Sequence, residues 1–384
     1  MTDNRYRRLP VGIQSFKVIR EENYLYVDKS DIVWNMVNLG DKYNYLSRPR
    51  RFGKSVLVDT LESYLEGRKD LFEGLKIMQL EKDWKHYPVI RLDMSRGGAN
   101  EETLRSYLNL RFKDYEEKYN ITPDPTAMLA DRFHAIIATA YKQTGLRVAV
   151  LIDEYDSPLQ HSWRTPEHEK CTGVYREVFA ILKADDEYEQ FVFITGITKF
   201  TQISLFSVLN NLSNISFTPE YAAICGITEE EIEENFMPEI RQMSEANNWS
   251  VQETHDRLKA YYDGYHFSDD NMVDIYNPYS LVNALKQRKI KNFWASSGAT
   301  SLLPKFVDNA ELRLSKFENC SIMRNTLELS DVSGGGAELF LYQSGYLTIK
   351  DSDEFGYILG FPNEEVKQAL YEEGKGLLDW KRAE

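Results

Sequence analysis

Arg48-Pro49-Arg50-Arg51-Phe52-Gly53-Lys54-Ser55 decides how the chain is read. A short aromatic-rich stretch, Lys42 to Leu46, runs into it with the character of a strand. Leu57, Leu61, Tyr64 and Leu65 leave it at helical spacing as far as Gly67. Gly53-Lys54-Ser55 therefore stands where a strand turns into a helix. The first N–H groups of a helix have no intrahelical partner, and the aligned peptide dipoles leave partial positive charge there, so such a turn can receive a phosphate. Gly53 lets the backbone approach the anion, Lys54 can reach the β- and γ-phosphates, and the Ser55 hydroxyl can ligate Mg²⁺. The usual pattern has glycine where this chain has Arg48. Pro49 fixes its own φ and Arg50 and Arg51 add charge, so this loop must be held by other means; a basic strand-to-helix turn without a ligand would look much the same.

Val148-Ala149-Val150-Leu151-Ile152-Asp153-Glu154 supplies the second half of the argument. Five apolar residues in a row suit a strand buried on both faces of a parallel sheet, and the two acids then emerge at its C-terminal edge, where α/β folds place their ligands. Asp153 is expected to hold Mg²⁺ and Glu154 to orient or deprotonate an attacking water. Tyr87 to Asp93 and Phe191 to Gly196 read as further strands. Helical segments lie between them at Glu101 to Tyr119, Thr126 to Thr144 and around Cys171 to Ala184. This alternation predicts an α/β fold with a mostly parallel sheet covered on both faces. Thr195 and Thr198, at the end of the last strand, stand where a polar sensor of a γ-phosphate would be, with Lys199 adding charge; a plain turn accounts for all three equally well.

Composition bounds the alternatives. With 384 residues, 42% apolar and 28% charged, the chain is long enough for two or three domains with a large core. The first eight residues carry no apolar region behind them and no stretch approaches a membrane span, so a cytoplasmic protein without membrane attachment is expected. Cys171, Cys225 and Cys320 are far apart and odd in number, which points to neither a disulfide framework nor a thiolate metal cluster. Glu167-His168-Glu169 reads as an exposed helix start. A net charge of −14 disfavours sequence-independent binding of nucleic acid by the surface as a whole, and Lys289 to Lys291 is too small a basic stretch to argue a local patch.

Several segments in one order carry a resemblance. Leu46 to Ser55, Leu151-Ile152-Asp153-Glu154-Tyr155-Asp156, Thr195 to Phe200, Leu209-Asn210-Asn211-Leu212 and Tyr262-Asp263-Gly264-Tyr265-His266-Phe267 together resemble the bacterial AAA-ATPase-like family, over about Leu9 to Phe293. The resemblance implies a P-loop NTPase core of the additional-strand type that binds ATP and Mg²⁺. It implies Glu154 as the catalytic glutamate, and that Arg48 is ordinary at its position. The residues expected to contact the nucleotide are Arg50, Arg51, Phe52, Gly53, Lys54, Ser55 and Val56, with Ser55 and Asp153 on the metal and Glu154, Thr195 and Thr198 in catalysis. Aromatics of Tyr24 to Tyr26, ahead of a helix with Ser30 or Asp31 as N-cap, can stack on adenine, although each serves as readily in core packing.

Beyond Ile224 the pattern changes. Thr228 followed by Glu229, Glu230 and Glu231 is a helix start opening an amphipathic run to Asn247, and helices follow at Val251 to Tyr262 and Tyr279 to Lys286. This reads as a helical lid. Gly334-Gly335-Gly336 reads as a flexible joint. After it come a helix at Phe340 to Gly345 and two strands, Tyr346 to Lys350 and Tyr357 to Phe361, that suit a winged-helix hairpin. The expected organisation is a core over 1–224, a lid over 225–333, and a winged-helix region with a tail over 334–384. Members of the family often continue into a PD-(D/E)XK nuclease domain. Glu373-Gly374-Lys375 has the Glu-x-Lys shape, but no buried strand carries it, so nuclease activity is not expected.

Three functions fit. An ATP-hydrolysing molecular switch, coupling nucleotide state to an unknown protein partner through lid and winged helix, uses the most motifs, with oligomerisation compatible. A small-molecule kinase would use the same cradle, though Glu154 favours water as the nucleophile. A DNA-binding regulator with a degenerate ATP site is the third.

Overall fold

A computed structural model describes residues 8–124, 126–200, 211–297, 303, 307, 314–330, 332 and 334–380, with side chains left out at 297, 314 and 373–380. Leu209 and Asn210, and the side chains of Glu373 and Lys375, lie outside the described residues. The chain divides into two compact units. One comprises 33–47 and 58–215; the other comprises 1–32, 48–57 and 216–384. The division does not follow sequence order, for the phosphate-loop candidate belongs with the C-terminal half of the chain.

The 33–47/58–215 unit is built on a five-stranded parallel sheet: β1 Tyr43–Ser47, β2 Val89–Asp93, β3 Val148–Asp153, β4 Glu189–Gly196 and β5 Ser213–Asn214. The spatial order is β2-β3-β4-β1-β5, and every neighbouring pair is parallel. β4 thus separates the strand that leads into the phosphate loop from the strand that ends in the two acids. This is the additional-strand arrangement of a P-loop NTPase core. All six residues of β3 are buried, as its unbroken apolar run requires. Register carries the strand ends to one edge: Leu46 lies beside Thr195, Ser47 beside Gly196, and Ile152 beside Ile194. Asp93 stands beside Asp153.

In the other unit, Thr228 caps the helix α1, Glu229–Asn235, through the reciprocal pattern its sequence announces. The Thr228 hydroxyl accepts from the Glu231 N–H at 3.3 Å, and the Glu231 carboxylate accepts from the Thr228 N–H at 2.9 Å. The amphipathic run to Asn247 is two helices rather than one. α1 stops at Phe236 and α2, Met237–Asn247, restarts with Pro238 in its first turn, where a missing N–H costs nothing. α3, Val251–Tyr262, and α4, Pro278–Gln287, complete the helical part, with Phe236, Ile240, Met243, Leu258, Tyr262 and Leu281 in one core.

Among its described residues the C-terminal region contains strands that its sequence pattern does not announce. β6, Ile227–Thr228, and β7, Ile275–Tyr276, form a small separate ladder. β8, Cys320–Met323, is followed by α5, Arg324–Leu329, and α6, Gly336–Ser344. The hairpin of β9, Thr348–Ser352, and β10, Gly356–Gly360, comes after them. The sheet order β8-β10-β9, with two helices between the first and second strands, is winged-helix topology. β8 escapes sequence reading because its burial alternates over only four residues. Gly336, from the glycine run, opens α6 with φ of +74°. α7, Glu364–Trp380, closes the described chain and carries Glu373 and Lys375 on helix, not strand. Among the described residues no helix is long and apolar enough to cross a membrane.

Candidate active site

The acid edge of the parallel sheet is held by hydrogen bonds that run between strand ends. Asp153, the last residue of β3, is almost fully buried, and its Oδ1 accepts the Glu154 N–H at 2.9 Å. Glu154 has φ of +47°, a left-handed conformation that a non-glycine residue adopts at a cost of order 1–3 kcal/mol, and such strain concentrates at functional sites. The chain therefore leaves β3 through a sharp turn at the residue expected to act on water. Immediately afterwards the Tyr155 N–H returns to the Thr195 carbonyl at 3.0 Å.

Thr195 and Thr198 are both fully buried and their hydroxyls are engaged. Thr195 Oγ1 donates to the Leu46 carbonyl at 2.7 Å, tying the end of β4 to the end of β1. Thr198 Oγ1 donates to Asp156 Oδ2 at 2.7 Å and accepts from Gln160 Nε2 at 2.9 Å. Asp156 is the centre of this turn. Its Oδ2 also accepts the N–H groups of Ile197 at 3.0 Å and Thr198 at 2.6 Å. Gly196 is required beside it, since a Cβ there would meet Asp156 Oδ1 at 2.5 Å. Tyr155 supports the same turn, donating its hydroxyl to the Thr198 carbonyl at 2.9 Å and accepting from the Phe200 N–H at 3.0 Å. In the sequence Asp156 stands out only as the end of the Leu151 to Asp156 segment. The available signal was its place two residues beyond Glu154 together with the glycine at 196.

The phosphate-loop candidate lies in the other unit. Gly53 has φ of +89° and open space where a Cβ would stand, so the backbone is exposed to an approaching ligand at the residue that tolerates this conformation. The first hydrogen bond of helix Lys54–Leu65 runs from the Leu57 N–H to the Gly53 carbonyl at 3.0 Å, which places Lys54, Ser55 and Val56 in the first turn, as an anion cradle needs. Lys54 is buried and its Nζ donates to the carbonyls of Arg48 and Pro49, each at 2.9 Å. Arg51 turns the loop with φ of +70°, and its guanidinium lies 5.0 Å from the centre of the Tyr279 ring. Phe52 points into the protein, edge-on to Tyr265 at 4.7 Å and to Phe267 at 5.3 Å. Arg50 is half-buried in the turn between Pro49 and Arg51.

Arg48 departs most from the usual pattern, and its environment supplies the reason. The side chain is 1% exposed; Nη1 donates to the Ser216 carbonyl and Nη2 to the Tyr221 carbonyl, both at 2.9 Å. Its guanidinium carbon sits 4.1 Å from the centre of the Phe267 ring. Where a glycine would make the turn by backbone freedom, an arginine holds it by anchorage.

Within each unit the side chains have the chemistry that a magnesium nucleotide takes. A glycine-opened helix N-terminus and a lysine suit phosphates, while a serine hydroxyl and a buried carboxylate are hard oxygen ligands of the sort Mg²⁺ takes in ones and twos beside phosphate. A family model described as predicted AAA-ATPase matches residues 10–206. The chain belongs to the AAA-ATPase-like family. This AAA-ATPase-like chain is also 32% identical over 375 residues, 95% of its length and 69% of the relative's, to a protein of Azotobacter chroococcum mcd 1 described as an uncharacterized protein in the vnfD 5' region. Among solved structures it is similar to the Aeropyrum pernix Orc1 protein in complex with DNA, at TM-score 0.30 and 13% identity over 89% of this chain and 90% of that one. It is also similar to Cdc6p from Pyrobaculum aerophilum, at TM-score 0.26 and 12% identity over 97% of each. Likeness at those scores bears on neither fold nor function.

Proposed function

We propose that this AAA-ATPase-like chain binds Mg·ATP and hydrolyses it as a molecular switch whose nucleotide state is passed to a partner protein through the lid and the winged helix. The strand order carries the reading: a strand leading into Gly53-Lys54-Ser55 and a strand ending in Asp153-Glu154 stand in one parallel sheet with β4 between them. In this proposal the first-turn N–H groups and the Lys54 ammonium bind phosphate, with Arg50, Arg51, Phe52 and Val56 completing the loop. Ser55 and Asp153 hold Mg²⁺, which when bound offsets phosphate charge. Glu154 accepts a proton from water, and the strained turn at its backbone fixes where the carboxylate starts from. The direct phosphate-sensing role expected of Thr195 and Thr198 does not suit hydroxyls that are buried and donate to the Leu46 carbonyl and to Asp156; in this proposal they shape the turn at the end of β4, with Asp156 setting its position.

The position that would serve DNA recognition in the winged helix, α6, has the sequence Gly-Ala-Glu-Leu-Phe-Leu-Tyr-Gln-Ser, with neither lysine nor arginine, and most of it is buried. Phosphate contacts that position a protein on DNA draw on just those side chains, so this helix supports an internal lever over a DNA-binding regulator. Lys54→Ala is the direct test. Titration calorimetry should show Mg·ATP binding abolished with the circular dichroism spectrum unchanged; parental affinity in the variant would remove the phosphate-loop reading.

A further inference from the structure

We propose that Arg48 is the positioning residue of the phosphate loop, and that through it the Tyr262 to Phe267 segment sets the loop's affinity for the phosphates of the nucleotide. The inference rests on the ATP-binding reading above and assigns a role to a residue at which the usual pattern has only a glycine.

Burying a guanidinium is costly, and here the cost is offset by bonds from Nη1 and Nη2 to backbone carbonyls and by a ring face. Carbonyls of Ser216 and Tyr221 cannot move without their own segment moving, so the side chain ties the start of the loop to a fixed frame. The same residue's carbonyl, with that of Pro49, holds the Lys54 ammonium. Arg48 thus fixes by its side chain the backbone atoms that place the principal cation of the site. The frame extends outward in three further contacts. Phe52 packs on Tyr265 and Phe267 from the far end of the loop. Pro49 lies so close to Gly345 that a Cβ at 345 would come within 2.6 Å of it. The Tyr265 hydroxyl donates to the Gly345 carbonyl at 3.1 Å. Both ends of the loop therefore rest on one aromatic segment, and that segment on the turn before β9. A loop whose shape is imposed this way presents its lysine and first-turn N–H groups preorganised, and loosening the anchor should cost affinity for phosphate rather than for the base.

The experiment measures displacement of a fluorescent ATP analogue by ATP and by AMP, which lacks the outer phosphates, with Mg²⁺ present throughout. Arg48→Gly restores the usual residue. It should weaken ATP by about tenfold, the scale of one charge-assisted hydrogen bond, while leaving AMP unchanged. Phe267→Leu keeps the bulk and removes the ring face; it should weaken ATP by about threefold, and Phe267→Tyr should restore it. If Arg48→Gly does not fold, the two Phe267 variants decide. Parental ATP affinity in the variants overturns the inference, and so does equal loss of ATP and AMP, which marks a merely structural residue. A parent protein that binds no ATP fells the function reading first and this inference with it, a result distinct from a parent that binds and variants that bind alike.

Discussion

Asp263→Asn is the perturbation whose size the structure fixes best. Asp263 ends α3 inside the aromatic segment that packs under the phosphate loop, and its side chain is 2% exposed. Two effects oppose each other there. Burial disfavours the carboxylate, and Asp274 and Glu229 add like charge; the Gly264 N–H and, less strongly, Lys259 at 3.7 Å from Oδ2 favour it. The lysine is 47% exposed and is shared with Asp274 at 3.5 Å and Glu229 at 3.8 Å, so its pull is diluted and screened. Burial wins, and the Asp263 pKa rises from the ordinary 3.8 to about 7. The folded state then binds more protons than the unfolded state between about pH 4 and pH 7, so stability falls as pH rises through that window and is level on either side. Three pKa units at 1.36 kcal/mol each set a ceiling of about 4 kcal/mol for the cost at high pH, of which about 2–3 kcal/mol accrues between pH 5 and pH 8. Asparagine keeps the shape and cannot ionise. The stability of the variant relative to the parent, from urea midpoints at the two pH values, should therefore improve on going to the higher one. An unchanged difference at both, or a variant that loses ground at the higher pH, would refute the account of burial overcoming the Gly264 N–H and Lys259.

Three further outcomes are expected. Glu154→Gln retains shape but loses the proton-accepting charge, so ATP should bind as in the parent while turnover falls about a hundredfold or more in a phosphate-release assay; parental turnover would make Glu154 a structural acid. Asp153→Ala should weaken nucleotide binding chiefly when Mg²⁺ is present, which calorimetry with Mg²⁺ and with EDTA separates; equal loss in both would deny it a metal role. Addition of ATP should slow amide exchange over Tyr261 to Phe267, and identical exchange with and without nucleotide would deny that this segment responds to the loop.

What could be read from the residues depended on whether the cause was local. β3 announces itself because burial on both faces demands an unbroken apolar run, and Thr228-x-x-Glu231 announces α1 because both halves of its cap lie within one turn. The glycine and lysine of the phosphate loop are legible for the same reason: the conformation and the charge they supply act where they stand. The break at Phe236 was missed because the amphipathic spacing continues across it, although Pro238 marks it. β8 was missed because a four-residue strand acquires meaning only from β10, more than thirty residues on. The expectations for Thr195 and Thr198 came from their place at a strand end, while the hydrogen bonds that Asp156 accepts to hold their turn join residues some forty positions apart.

The two halves of the proposed site are stabilised in different ways, and the difference bears on how such a protein can be controlled. Asp153 and Glu154 leave a strand buried throughout, and the turn facing them is fixed by a single carboxylate, Asp156, receiving backbone and side-chain donors. That edge can change only if the sheet or the Asp156 turn is disturbed. The loop draws on a different support: an arginine stands where backbone freedom is usual, and its bonds go to carbonyls at 216 and 221 and to the ring at 267. His266, between the two aromatics under the loop, receives the same kind of tie from the C-terminal sheet: its N–H donates to Thr348 Oγ1 at 2.7 Å and its ring bonds the Ile349 carbonyl at 2.8 Å. β9 is thus joined to residues 265–267, and these to the start of the loop, by a continuous series of hydrogen bonds and ring contacts. In the proposed switch, linkage makes that path reciprocal: whatever free energy nucleotide lends to one arrangement of the winged helix, a partner bound there would return to the nucleotide.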